Sequence, residues 1–182
     1  MSIAKNRAFK QLLWVGMGSI AMFFAGLTSA YIVRKAEGNW VEFILPEWFL
    51  YSTITIVFSS AVLILVKQNI KKDKSVFSLI LSVFVLGLLF AFFQLNGWQE
   101  LVNRGVYLTG NGSNVAGSFL YVLTLSHLVH LIGGLIALLV TAINAKRTKY
   151  SAENYLGLEI TSIYWHFLSI LWVYLFFFLK YL

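Results

Sequence analysis

Between Gly157 and Phe176 the chain reads GLEITSIYWHFLSILWVYLF, about one bilayer of almost wholly apolar residues interrupted by Glu159, Ser162, His166 and Ser169. At ~100° per residue these four fall on one face of a helix, with Trp165 and Trp172 on its flank. A charge near the bilayer centre costs about 2.5–3.5 kcal/mol on insertion scales. The stripe must therefore face protein, or water held inside protein, and not lipid. The remaining spans have to supply what it faces.

The chain's 182 residues are 59% hydrophobic and 12% charged, with a mean hydropathy of +0.79. Soluble domains are about 25% charged, so this is a membrane protein. Cysteine is absent, which excludes disulfides, thiolate metal sites, cysteine nucleophiles and c-type haem attachment. The net charge of +7 sits in short basic blocks between apolar runs. Such blocks are topology signals rather than a nucleic-acid footprint. No long linker, repeat or low-complexity segment divides the chain, so residues 1–182 are expected to form a single transmembrane domain.

The apolar runs predict an all-α, polytopic bundle of five transmembrane helices, with spans at about 12–33, 48–66, 76–94, 117–143 and 158–179. The first run is ~33 Å as a helix, too long for the apolar region of a signal peptide. Ala21, Ala25 and Ser29 recur on it every four residues, as do Met22, Gly26 and Ala30. That spacing predicts close helix packing. Trp40 and Trp48 bracket the next loop and suit a membrane interface, and Pro46 suits a helix start. The third span is expected to end near Gln94 and to be followed by a loop of roughly 17 residues rich in turn-formers, Gly110 to Asn114. Asn111-Gly112-Ser113 also matches a glycosylation acceptor, a pattern too common to build on. Phe176, Phe177 and Phe178 are read as lipid-facing surface. Ten of the 14 lysines and arginines lie before the first span and in the turns after the second and fourth. The positive-inside rule then puts the N-terminus inside and the C-terminus outside.

Three histidines and one carboxylate are the candidate site: His127 and His130 on the fourth span, Glu159 and His166 on the fifth. Three readings are open. They can be hydrogen-bonded residues that join helices, ligands of a haem or metal, or members of a proton relay. A zinc or copper site wants three or four converging ligands, and only three histidines and Glu159 are on offer. Glu159 lies within a turn of its helix start, where the helix dipole favours a carboxylate. No nucleophile–base pair or phosphate loop is present, so no residue is assigned a catalytic or metal-binding role.

Three stretches carry a resemblance to a known family. In Gly117 to Leu138, Gly117, Ser118, Thr124, His127, His130 and Gly133 follow a Gly-Ser…Thr…His-x-x-His…Gly pattern. Gly157-x-Glu159 precedes Tyr164-Trp165-His166-Phe167 and Trp172, and Met22 to Arg34 reads MFFAGLTSAYIVR. Together with Gln94 at the end of the third span, these resemble subunit III of the haem-copper terminal oxidases, the cytochrome c oxidase type. Many members have seven helices; this chain resembles the shorter bacterial form lacking the first two. Ile20 and Ser169 stand where many relatives carry carboxylates, so no carboxylate role carries over there.

The resemblance implies a non-catalytic core subunit of the bacterial inner (plasma) membrane. It would carry no cofactor of its own, with haem and copper in partner subunits I and II. It would pack on the catalytic subunit, bind phospholipid, and support aerobic electron transport and proton pumping. Two alternatives stay open: subunit III of a quinol oxidase, and a small membrane cytochrome holding haem between His127 or His130 and His166.

Overall fold

The computed structural model describes residues 3–38, 40–70, 75–110, 112–147, 150 and 154–182, with side chains from residue 6 onward. The basic turn at Lys71, Lys72 and Lys74, together with Lys149 and Asn111, lies outside the described residues. Five helices follow in order: α1 Ile3–Ala36, α2 Trp48–Ile70, α3 Phe77–Asn103, α4 Val115–Lys146 and α5 Leu156–Tyr181. All five are long and apolar enough to cross a membrane.

Each helix exceeds its apolar run because hydrogen bonding continues where hydropathy stops. The clearest case is α3, which runs past Gln94 to Asn103, so the connection to α4 is shorter than expected. The extension is held by packing: Gly97 lies against the Phe49 ring and Leu101 is fully buried. It ends at Gly105, whose φ of 79° lets Val106 N–H reach back to Leu101 O at 2.9 Å. The start of α4 is capped by Asn114, whose Oδ1 accepts from Gly117 N–H at 2.6 Å.

Helices α2, α3, α4 and α5 form a closed ring, each touching the next and α5 returning to α2. Helix α1 lies outside this ring, against α4 and α5 only among the described residues. It runs parallel to α5: Lys10 pairs with Glu159 near their starts at 2.8 Å, and Lys35 bonds the Leu182 carbonyl at their ends. The core of the ring is filled by Trp165, Trp172, Phe49, Phe90, Ile56 and Leu63, all essentially inaccessible. Outward faces are apolar, with Ile54, Phe92, Val129 and Ile170 exposed, as suits lipid or a protein neighbour.

Two expectations about surfaces are corrected. The small residues of α1 do not pack inside this chain: Ala21, Met22, Ala25, Gly26, Ser29 and Ala30 are exposed, and a Cβ on Gly26 would meet nothing within 4 Å. The inner seam of α1 is instead Met17, Phe24, Thr28 and Tyr31. Large side chains set it, because Tyr31 meets Phe178 edge-on with ring centroids 4.9 Å apart. That contact also buries Phe178, part of the second correction. Of the three phenylalanines, only Phe177 is exposed; Phe176 and Phe178 are buried near the C-terminal end of α5.

Candidate functional site

The interior of the ring is polar at regular intervals, and one local device recurs. A serine or threonine hydroxyl donates to a carbonyl of its own helix, three or four residues back. Its oxygen then accepts from a side chain of a neighbouring helix. Thr53 of α2 donates to Phe49 O at 2.7 Å and accepts from Trp172 Nε1 of α5 at 2.9 Å. Two turns deeper, Ser59 donates to Ile56 O at 2.7 Å and accepts from Trp165 Nε1 at 3.0 Å. Ser52 donates to Phe49 O and accepts from Gln94 Nε2 of α3 at 2.7 Å. Thr124 of α4 donates to Leu120 O and accepts from Trp98 Nε1 of α3 at 3.0 Å. Outside the ring, Thr28 of α1 does the same for Tyr174 of α5 at 3.1 Å. Each junction satisfies both the hydroxyl and the incoming donor without lipid or solvent, which hydrocarbon requires.

The tryptophans that flank the α5 stripe are thus its main interhelical donors. Ser162 and Ser169 are buried on the same helix, and Ser169 bonds back to Trp165 O at 2.9 Å. The α2 hydroxyls were missed by reading residues one span at a time. A signal was present: an apolar span carries five serine and threonine hydroxyls, Ser52, Thr53, Thr55, Ser59 and Ser60, with Ser52 and Ser59 on one helical face beside Ile56 and Leu63.

The four candidate residues are not brought together. His127 is fully enclosed and its Nε2–H donates to Leu168 O of α5 at 3.1 Å. Its ring lies 5.0 Å from that of Trp172 and 5.7 Å from that of Phe90. One turn on and ~60° further round the helix, His130 is turned toward α1. Its Nδ1 donates to Ser126 O of its own helix at 2.7 Å, and its ring packs edge-on to Phe24 of α1 at 5.7 Å. His166, half-buried on α5, shares a hydrogen bond with Ser60 Oγ of α2 at 2.5 Å. Glu159, in the first turn of α5, pairs with Lys10 of α1 across a partly exposed edge. By hydrogen bond or ion pair each therefore has its own partner: Leu168 of α5 for His127, Ser126 of its own helix for His130, Ser60 of α2 for His166 and Lys10 of α1 for Glu159. Among the described residues no group of three or more histidines, aspartates or glutamates could hold a metal ion.

Tight helix contacts accompany these bonds. A Cβ on Gly87 of α3 would stand 2.6 Å from Trp165 Cη2, and one on Gly134 of α4 would stand 3.0 Å from Leu168 Cδ1. The indole of Trp165 is thus wedged between α3 and α4 while bonded to α2.

Five apolar helices locked by internal hydrogen bonds define a multi-pass membrane protein of helical-bundle type. The family described as cytochrome c oxidase subunit III matches residues 41–182. The chain is 33% identical to the probable cytochrome c oxidase subunit 3 of Nocardia farcinica, over 91% of this chain and 82% of the relative. It is 28% identical to cytochrome c oxidase subunit 3 of Corynebacterium diphtheriae over 85% of this chain and 78% of that one. It is also 31% identical to the cytochrome bo(3) ubiquinol oxidase subunit 3 of a Buchnera aphidicola, over 96% and 92% of the two chains. The chain belongs to the cytochrome c oxidase subunit III family of the haem-copper oxidases, and so to a multi-subunit membrane complex.

Proposed function

We propose that this chain is the non-catalytic third subunit of a respiratory haem-copper oxidase in a bacterial inner membrane. The haems and copper of that complex belong to its partner subunits I and II. This chain packs on the catalytic subunit and on phospholipid, and so sustains electron transfer and proton pumping that occur elsewhere. Residues 1–182 act as one domain, with the N-terminus inside and the C-terminus outside. His127, His130, Glu159 and His166 are structural: they join helices rather than bind a cofactor. The observation that carries this reading is the divergence of those four side chains, each to a separate structural partner.

The test is to strip the chain from the purified complex. The stripped complex should keep its haem content and begin turnover at a substantial fraction of the normal rate, then lose activity faster as turnover continues. Absence of initial activity with spectrally normal haems would refute the accessory role.

A second reading is favoured by the 31% identity to a ubiquinol oxidase subunit 3: the complex takes electrons from a quinol rather than from cytochrome c. Electron donors dock on other subunits, so the choice falls to a direct assay. The purified complex is offered reduced cytochrome c and a ubiquinol separately, and the donor that reduces its haems decides.

A further inference from the structure

Two enclosed acceptors near the centre of the ring have no donor among the described residues. One is Nδ1 of His127, the other Oε1 of Gln94, on side chains 0% and 1% exposed. Neither orientation is arbitrary. The Leu168 carbonyl can only accept, so the proton of the neutral His127 ring sits on Nε2 and Nδ1 is a bare lone pair. The single hydroxyl proton of Ser52 is spent on Phe49 O at 2.8 Å. Ser52 Oγ must therefore accept from the Gln94 NH2 group, which leaves Oε1 bare.

The two residues belong to one layer of the ring. Helices α3 and α4 are antiparallel neighbours, with Trp98 bonded to Thr124 and Phe90 against the His127 ring. Gln94 is one turn from both Phe90 and Trp98, opposite the turn of α4 that holds Thr124 and His127. Trp172 spans the same layer: it bonds Thr53, beside Ser52, and packs on both Phe90 and His127.

We propose that one buried water molecule sits between Gln94 and His127, donating one hydrogen bond to Oε1 and the other to Nδ1. Water is the ligand because the layer offers two neutral acceptors. A cation would be enclosed by Phe90 and Trp172 without a counter-charge, whereas water supplies a donor to each acceptor. The result is one continuous chain of hydrogen bonds through all four ring helices. It runs from Phe49 O and Ser52 on α2, through Gln94 on α3, the water and His127 on α4, to Leu168 O on α5. Both arms donate outward from the water, so its loss breaks both.

A cryo-EM map of the complete oxidase complex, at a resolution that shows ordered water, tests this. A peak is expected within about 3.2 Å of both Gln94 Oε1 and His127 Nδ1. No peak bonded to both, a direct Gln94–His127 contact, or a peak with the shorter multiple ligand distances of a metal cation overturns the proposal. Melting of the complex gives an independent readout. Gln94→Leu and His127→Phe each disrupt the same unit, so the double variant should lose less than the sum of the two single shifts. Strict additivity counts against a shared water. Where a variant does not assemble, the wild-type map decides.

Discussion

Adding one methyl group at Gly87 should destabilise the whole ring, because the space it would take belongs to Trp165. An alanine Cβ there would lie 2.6 Å from Cη2 and 3.2 Å from Cζ2 of Trp165, and 2.7 Å from Cδ2 of Leu135. Carbon atoms rest about 3.5–4.0 Å apart, so the overlap is roughly 1 Å. Leu135 can rotate its terminal methyl away. The indole cannot: it is fully buried, and its Nε1–H is bonded to Ser59 at 3.0 Å. Either α3 moves off α5 or that bond is lost. Overpacking of this kind costs about 1–3 kcal/mol. The helix preference for alanine over glycine returns up to about 1 kcal/mol, and a broken interhelical bond removes about 0.6 kcal/mol, at most about 1.7. The net loss is about 1–3 kcal/mol. At about 2–4 °C per kcal/mol for a chain of this length, Gly87→Ala should melt about 2–12 °C below the wild type. The assay is a thermal melt of the purified full chain in mild detergent, followed by tryptophan fluorescence and circular dichroism. Gly26→Ala is the control: a Cβ there meets nothing within 4 Å, so no loss is expected. A Gly87→Ala chain that melts with the wild type would show that the indole is not wedged as described, and the packing account of the ring would fail.

Two further outcomes are expected. His166→Ala removes the α5–α2 bond to Ser60 and should lower retention of the subunit in its complex while the haem spectrum keeps its shape. A haem Soret band from the purified chain alone, abolished by His166→Ala, would instead establish the membrane cytochrome. The lack of native cysteine makes the orientation directly measurable. Single cysteines at Arg7 and Arg147 should react with an impermeant label from the cytoplasmic side only, and those at Gly38 and Gly112 from the opposite side only. Labelling of Gly112→Cys from the cytoplasm would overturn the assigned orientation.

The number and order of the helices were legible in the sequence because they are local quantities. A bilayer sets a length, an apolar run either meets it or does not, and backbone groups in hydrocarbon must bond within their own segment. The need for a protein partner along the Glu159–His166 stripe was legible too, since a polar side chain in a span announces its own cost. Which partner answers each group was not. Ser60 and His166 are 106 positions apart, and only the return of α5 onto α2 makes them neighbours. The same closure turns the flanking indoles of Trp165 and Trp172 into the main donors to α2, and leaves the small residues of α1 facing outward while Phe24 and Tyr31 face in. Small residues permit close approach without requiring it, and a run such as Phe176 to Phe178 places successive rings ~100° apart around the helix, so burial alternates within three residues. Local chemistry decided that five helices would cross the membrane. Which faces meet was decided by filling one shared interior, where every indole needs an acceptor and every ring needs a space.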